Sequence, residues 1–322
     1  MNPSIRERIV GALKGIATGD AIGKQTETLS REAVRRWYPM GLRGFEGVPG
    51  TIIPRYIGNR KREWLIGETT DDTENTIAVA RAILGDGDVR HTSVGRELLK
   101  GTKSVHPGLR SLWEFHQGGD PARVSDRHDG CGAAVRVAPV GMLYQPDRLD
   151  ELVASAREAS IPTHGGILAI AAAAATAAAV SAAIECAPAD EILAIAVRAA
   201  RRVEPSAPHS SGSIADAIAA AADLLQQRDR NADALASAWF PNNPLTIVPL
   251  AIALATTMDS AETAILLATN VGGDSDSVAS IAGGILGARY PESVNDEWHT
   301  VVDRINGHDL DSIADGLTPL RR

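Results

Sequence analysis

Apolar residues recur at three- and four-residue spacing along most of this chain, the period of an amphipathic helix. Ile5, Ile9, Leu13, Ile16 and Ala17 open the pattern, and Ile77, Ala80 and Leu84 repeat it. The spacing predicts further helices over Ala133–Leu143, Thr163–Cys186, Asp190–Val203, Ile214–Arg228, Asn231–Trp239, Leu245–Thr257, Ala261–Thr269 and Asp276–Tyr290. Period-two alternation is nearly absent, with Gly50–Ile57 the best strand candidate. The pattern predicts an all-α fold in a single domain covering residues 1–322.

Composition sharpens this picture. Alanine is abundant and aromatics make up only 4% of the chain, which suits closely packed helices better than a β-sandwich. Gly11, Gly15, Gly19 and Gly23 recur every four residues, a stripe that lets one helix approach another closely. From Gly165 to Ile184 there are twenty residues without a charge. That length suits a membrane span, yet the segment is mostly alanine, the best helix former. It is expected to be a buried central helix, with no membrane involved.

Two irregular stretches, 38–68 and 101–130, interrupt the helices. Loops of such length in a compact fold are usually functional or disordered. They hold six of the twelve aromatics (Tyr38, Phe45, Tyr56, Trp64, Trp113 and Phe115), read mainly as anchors for the loops.

A net charge of -8 argues against a dedicated nucleic-acid binder, which needs basic stripes to neutralise phosphates. The basic runs Arg35-Arg36, Arg60-Lys61-Arg62 and Arg201-Arg202 are short and read as solvated faces. Cys131 and Cys186 stand in unrelated contexts, so neither a disulfide framework nor a CxxC metal site is predicted. A reducing compartment fits, and the charged N-terminal segment does not read as a secretory signal. The expected location is cytoplasmic.

The chemistry concentrates in two acidic clusters, Gly67-Glu68-Thr69-Thr70-Asp71-Asp72-Thr73 and Gly272-Gly273-Asp274-Ser275-Asp276-Ser277. Each precedes a helical pattern, so one acid in each can serve as a helix cap, favoured by the helix dipole. A cap needs one acceptor, whereas both clusters carry a surplus of acids and hydroxyls. At an effective dielectric near 20, two like charges ~4 Å apart repel by about 4 kcal/mol. If the fold brings the clusters together, they need protons or a multivalent cation. Oxygen ligands with no thiolate favour magnesium, manganese or calcium over zinc.

Other segments are less specific. Asp20 and Glu27 are read as following the N-terminal helix. Gly23-Lys24 is a near miss to a phosphate-binding P-loop, rejected because Gln25 replaces the hydroxyl residue. His128-Asp129-Gly130-Cys131-Gly132 opens a helix and reads as an anion cradle or a plain turn. His164, at the start of the alanine-rich helix, reads as structural or as a ligand contact.

Five motifs in order carry a resemblance. They are Gly19-Asp20-Ala21-x-Gly23, Thr70-Asp71-Asp72-Thr73, Gly132-Ala133-Ala134-x-Arg136-x-Ala138-Pro139, Thr163-His164 and Gly273-Asp274-Ser275-Asp276-Ser277. Together, over residues 5–290, they resemble the ADP-ribosylglycohydrolase family, which includes the dinitrogen reductase-reactivating hydrolase and J1 crystallin relatives. The resemblance implies an orthogonal all-α bundle with two Mg2+ (or Mn2+) ions. It also implies hydrolysis of a ribosyl glycosidic bond, in an ADP-ribosylated protein or a small ribosyl compound.

Residue by residue, it implies that Thr70, Asp71, Asp72 and Asp276 hold one ion. Asp274, Asp276 and Ser277 hold the other, with Asp276 bridging. Glu27 and Asp72 are the implied proton-transfer residues, and Gly130, Cys131, Gly132 and His164 the implied substrate contacts. Three departures stand out. Serines replace the usual threonines in the last motif, Cys131 replaces a small polar residue, and Gly165-Gly166 follows Thr163-His164 without a second histidine. The last two bear on ADP-ribose specificity more than on hydrolysis.

Three rival readings remain. One is the same chemistry on a nucleoside. Another is an HD-type phosphohydrolase, for which further histidines at helix spacing are missing. The last is a non-catalytic crystallin-like relative, which has no need of crowded carboxylates.

Overall fold

The computed structural model describes residues 2–47, 55–57, 60–62, 64–103, 120, 124–125, 128–204, 212–227 and 231–322. The helices are α1 (Ile5–Gly23), α2 (Arg31–Trp37), α3 (Asp71–Asp86), α4 (His91–Leu98), α5 (Gly132–Arg136), α6 (Ala138–Leu143), α7 (Leu149–Ser160) and α8 (Ile167–Ile184). They continue as α9 (Ala189–Val203), α10 (Ile214–Gln227), α11 (Ala232–Trp239), α12 (Pro244–Thr257), α13 (Ala261–Val271), α14 (Ser275–Arg289), α15 (Asp296–Asn306) and α16 (Leu310–Leu317). The strands are β1 (Arg55–Ile57) and β2 (Arg60–Arg62), paired antiparallel with Tyr56 opposite Lys61. The fold is an all-α bundle with this one small hairpin, which overlaps the end of the predicted strand.

The uncharged segment became α8, buried along nearly its whole length against α5, α6, α7, α9 and α14. It is long and apolar enough to cross a membrane, but 89% of it is buried inside the protein, as a core helix would be. The predicted helix Ala133–Leu143 is two, α5 and α6, broken at Val137 just ahead of Pro139. Proline lacks an N–H and its ring crowds the carbonyl four residues earlier, so Pro139 fits the first turn of a new helix and not the interior of a continuous one. Helices α2, α4, α7, α15 and α16 are not among those the spacing singled out.

The closest packing in the molecule joins α1 to α14. A Cβ added to Gly11 would lie 2.2 Å from the Gly287 carbonyl oxygen, and one on Gly15 2.0 Å from that of Gly283. One on Gly19 would lie 2.2 Å from the Ala279 carbonyl, and one on Gly23 2.5 Å from Asp276 Cα. Each step of four forward on α1 is one of four back on α14. The helices are therefore antiparallel and touch backbone to backbone, as the glycine stripe predicts. Any side chain at these positions would push the helices apart. The seam ends with Asp20 on one helix and Asp276 on the other.

Of the loop aromatics, Tyr38 and Phe45 behave as anchors. The Tyr38 hydroxyl donates to the carbonyls of Gln25 (3.2 Å) and Gly47 (2.6 Å), and Phe45 packs against the core. Trp64 instead lies beneath Lys24, whose Nζ is 4.3 Å from the ring centroid. Trp113, Phe115 and the side chain of Tyr56 lie outside the described residues.

Candidate active site

Asp20 lies within α1, one turn before its end, rather than after it. Its carboxylate accepts hydrogen bonds from the Thr70 N–H (3.0 Å), the Thr73 N–H (3.1 Å) and the Thr73 hydroxyl. It thus caps α3 from another helix. Thr70 is the N-cap itself, its Oγ1 accepting from the Asp72 N–H at 3.1 Å. These two groups satisfy the free N–H groups that an acid of the first cluster was expected to cap. Asp71 and Asp72 fall inside the first turn of α3, with no capping role.

The second cluster is arranged in parallel. Gly272 and Gly273 have φ of +85° and +71°, the left-handed region that glycine adopts without a Cβ penalty. The Gly273 N–H donates to the Leu29 carbonyl (2.8 Å), its own carbonyl accepts from the Thr28 N–H (2.7 Å), and the Asp274 N–H donates to Pro241 (2.9 Å). This clasp sets Asp274 at the N-cap position of α14 without a side-chain capping bond. Asp276 is one step into the helix.

The fold brings the clusters together. Ser277 Oγ donates to Asp72 Oδ2 at 3.1 Å, and the Cys131 thiol donates to Asp274 Oδ2 at 3.4 Å. Burial, then Asp20, Asp71 and Asp274, holds the Asp72 carboxyl well above the usual range, against the Ser277 hydrogen bond. Burial, then Glu27, Asp274 and Asp72, does the same to Asp276. Asp71 is pushed up to about 7 by burial and by Glu27. Such mutual destabilisation is what a bound cation relieves.

Asp276 is 4% exposed, and its Oδ1 is buried with no hydrogen-bond partner. A buried unpaired carboxylate oxygen costs folding energy, and an ion could take the place of the missing donor. Among the described residues, no three carboxylate, imidazole or thiol groups converge tightly enough to cage an ion by themselves. An ion at this place would need hydroxyl oxygens, such as those of Thr70 and Ser277, beside the carboxylates. Hard oxygens around an unpartnered carboxylate oxygen suit a small divalent cation such as magnesium or manganese.

Lys24 escaped the motif reading. It is among the largest fully buried side chains, 1% exposed, and its ammonium pairs with Glu27. Burial pulls its pKa down, but the carboxylates of Glu27, Asp276 and Asp71 outweigh this and raise it. Glu27 retains some solvent access, with 16% of its side chain exposed. The rejected P-loop match drew attention to the glycine of this pair and away from the lysine. Its spacing of four from Asp20 and three from Glu27 was the signal available.

On the far rim, Asp129 Oδ1 accepts from the N–H groups of Leu168 (3.0 Å) and Ala169 (3.2 Å), capping α8. Arg136, fully buried, donates to Thr163 Oγ1 at 2.8 Å, and Thr163 Oγ1 lies 2.6 Å from His164 Nδ1. Thr163 Oγ1 thus links the buried guanidinium to the His164 ring. Burial, Arg136 and His128 keep that ring neutral. Its Nε2 edge lies against Gly130 and Gly132, where a Cβ would come within 2.9 Å of the ring. Gly130, Gly132 and His164 therefore meet as one surface. Cys131 faces the acidic cluster instead, its pKa raised by burial and by Asp274.

Comparison with known proteins decides the family. The ADP-ribosylglycohydrolase family profile matches residues 1–322. The chain belongs to the ADP-ribosylglycohydrolase family. It is 28% identical to the YegU protein of Escherichia coli, covering 98% of each chain. It is 24% identical to the ADP-ribosylarginine hydrolase Tri1 of Pseudomonas putida over 91% of this chain and 73% of that one. A 26% match to the ADP-ribosyl-[dinitrogen reductase] glycohydrolase of Rhodospirillum rubrum covers 44% and 46%. A solved ADP-ribosylglycohydrolase-related protein complex has the same fold, with a TM-score of 0.69 at 23% identity over 99% of both chains. Family membership supports a glycosidase-type hydrolase that depends on a metal.

Proposed function

We propose that this protein hydrolyses a ribosyl glycosidic bond, releasing ADP-ribose or a smaller ribosyl group, with Mg2+ or Mn2+ ions bound between the two acidic clusters. The observation that carries this is the unpartnered Asp276 Oδ1, buried beside Asp72 and Asp274 at the end of the glycine seam. Two relatives support the substrate class, since their names describe removal of ADP-ribose from dinitrogen reductase and from arginine.

Thr70, Asp71, Asp72, Asp274, Asp276 and Ser277 would hold the ions, Asp276 bridging. Such ions bind sugar hydroxyls and lower the pKa of water. Glu27 is the residue we assign to accept the proton of the attacking water, because it lies near the cluster, keeps solvent access and is not among the acids assigned to the ions. Asp72 is engaged by Ser277. The remaining carboxylates would favour the oxocarbenium-like charge that develops as the bond breaks. The neutral His164, with Gly130 and Gly132, would offer an uncharged hydrogen-bonding edge to the leaving side of the substrate.

Cys131 favours a second reading. Its thiol is engaged by Asp274, so the loop offers a diphosphate no polar side chain there, and a nucleoside becomes the alternative substrate. The test is product release from ADP-ribosyl-arginine, ADP-ribosyl-serine and a nucleoside panel, with Mg2+ and with chelator. Metal-dependent release from an ADP-ribosyl substrate, lost in Asp276→Asn, is expected. Release from nucleosides alone would move the assignment, and release that survives chelation would end it.

A further inference from the structure

Two flanks of the acidic pocket differ in charge. On one, Asp72 and Asp274 are held by neutral donors, Ser277 and Cys131. The flank of Glu27, Asp71 and Asp276 holds the Lys24 ammonium, sealed from solvent, paired with Glu27 and seated over the Trp64 ring. Aromatic faces attract cations more strongly when solvent is excluded. A buried ammonium with these partners has no lower-energy place to go. It lies on an anchored turn: Gln25, next in sequence, donates to the carbonyls of Ile22 (3.2 Å) and Gly44 (2.9 Å) and accepts from the Glu46 (2.8 Å) and Gly47 (2.9 Å) N–H groups.

We propose that Lys24 is a built-in counter-cation that makes the centre unequal, so that one divalent ion binds tightly and a second binds weakly. The inference rests on the metal-centre reading above. The tight ion belongs to the flank of Asp72 and Asp274. Any ion approaching Glu27 and Asp71 meets a fixed positive charge already paired with Glu27. The chain thus supplies from its own sequence part of the charge that a second ion would bring.

The test is calorimetric titration of Mn2+ into the full-length wild type, Lys24→Gln, Lys24→Arg and Asp276→Asn, with parallel electron paramagnetic resonance. Wild type is expected to bind its first ion at least tenfold more tightly than its second, with the spectrum of an isolated ion at one equivalent. Lys24→Gln keeps a hydrogen-bonding side chain but no charge, and should strengthen the second ion at least tenfold and give spin-coupled pairs at two equivalents. Lys24→Arg retains the charge and should stay weak at the second ion, which separates charge from packing.

Two equally tight ions in wild type would overturn the proposal and leave the metal-centre reading standing. So would a second-ion affinity in Lys24→Gln within twofold of wild type. No binding by wild type or Lys24→Gln would overturn both. If circular dichroism shows Lys24→Gln unfolded, the ratio of the two wild-type affinities decides alone.

Discussion

Helices α1 and α14 touch along their length, yet the two ends of the pair obey different rules. Toward Gly11 and Gly287 the contact is backbone on backbone, flanked by the buried Arg8 side chain, which donates to the Ala288 and Arg289 carbonyls. Toward Gly23 and Asp276 the same helices deliver buried carboxylates, one with an oxygen left unpaired. Within that acidic end, Asp20 and Asp276 differ again. Both are buried, but Asp20 is surrounded by donors from α3, whereas Asp276 Oδ1 has none. Burial alone does not mark a functional acid. A deficit of donors does, because stability would have removed it.

The sharpest way to break the comparison is Asp276→Asn. Metal affinity should fall at least ~100-fold, while the melting temperature stays level or rises, because a repelling buried charge is removed. Calorimetry and thermal denaturation check the two halves. At the other end, Gly15→Val should destabilise by about 3 kcal/mol or more by forcing a side chain into the Gly283 carbonyl. Denaturant melts would show it, with activity per folded molecule retained. Asp20→Asn should lie between, losing about 2 kcal/mol as its charge-assisted bonds to Thr70 and Thr73 weaken. If Asp20→Asn abolishes metal binding without loss of stability, the distinction between the two acids is wrong.

Titration offers a smaller effect. The Asp71 carboxyl is raised to about 7, so between the ordinary carboxylate range and pH 7 the folded metal-free protein binds the extra proton. Its stability should therefore fall as pH rises from about 4 to about 7, and metal affinity should rise over the same window. His308 acts in the opposite sense. Burial, Lys103 and Arg81 lower it to about 4, so the stability of its neutral form, complete above the unfolded value, is lost as pH falls from 6.5 through about 4. Its Nε2 lies 2.9 Å from Thr69 Oγ1. His308→Gln should flatten that acid slope by about 1–2 kcal/mol in melts at pH 5 against pH 7.

Much of this was legible from residue order. The four-residue glycine stripe marked α1 for close packing without naming its partner α14, and the uncharged alanine run gave α8 as core. The surplus of acids foretold their meeting. What local pattern could not reveal was partnership across distance. Capping was expected from Asp72 or Asp276, because each stands near a helix start. The cap of α3 came instead from Thr70 and from Asp20, fifty residues earlier. Lys24 looked like a piece of a failed phosphate loop because its meaning depends on Trp64 and on Asp276, which only the fold brings to it. Helices α2, α4 and α16 are only seven or eight residues long, so a few residues decide them and packing completes them.

The glycine seam works as a ruler as well as a joint. Side chains can change rotamer, but two backbones in contact every four residues can slide past one another only by whole turns. The spacing between Asp20 and Asp276 is therefore written in main-chain atoms. A single-residue deletion between Gly11 and Gly23 would rotate one set of acids off the pocket while leaving the composition of the site unchanged.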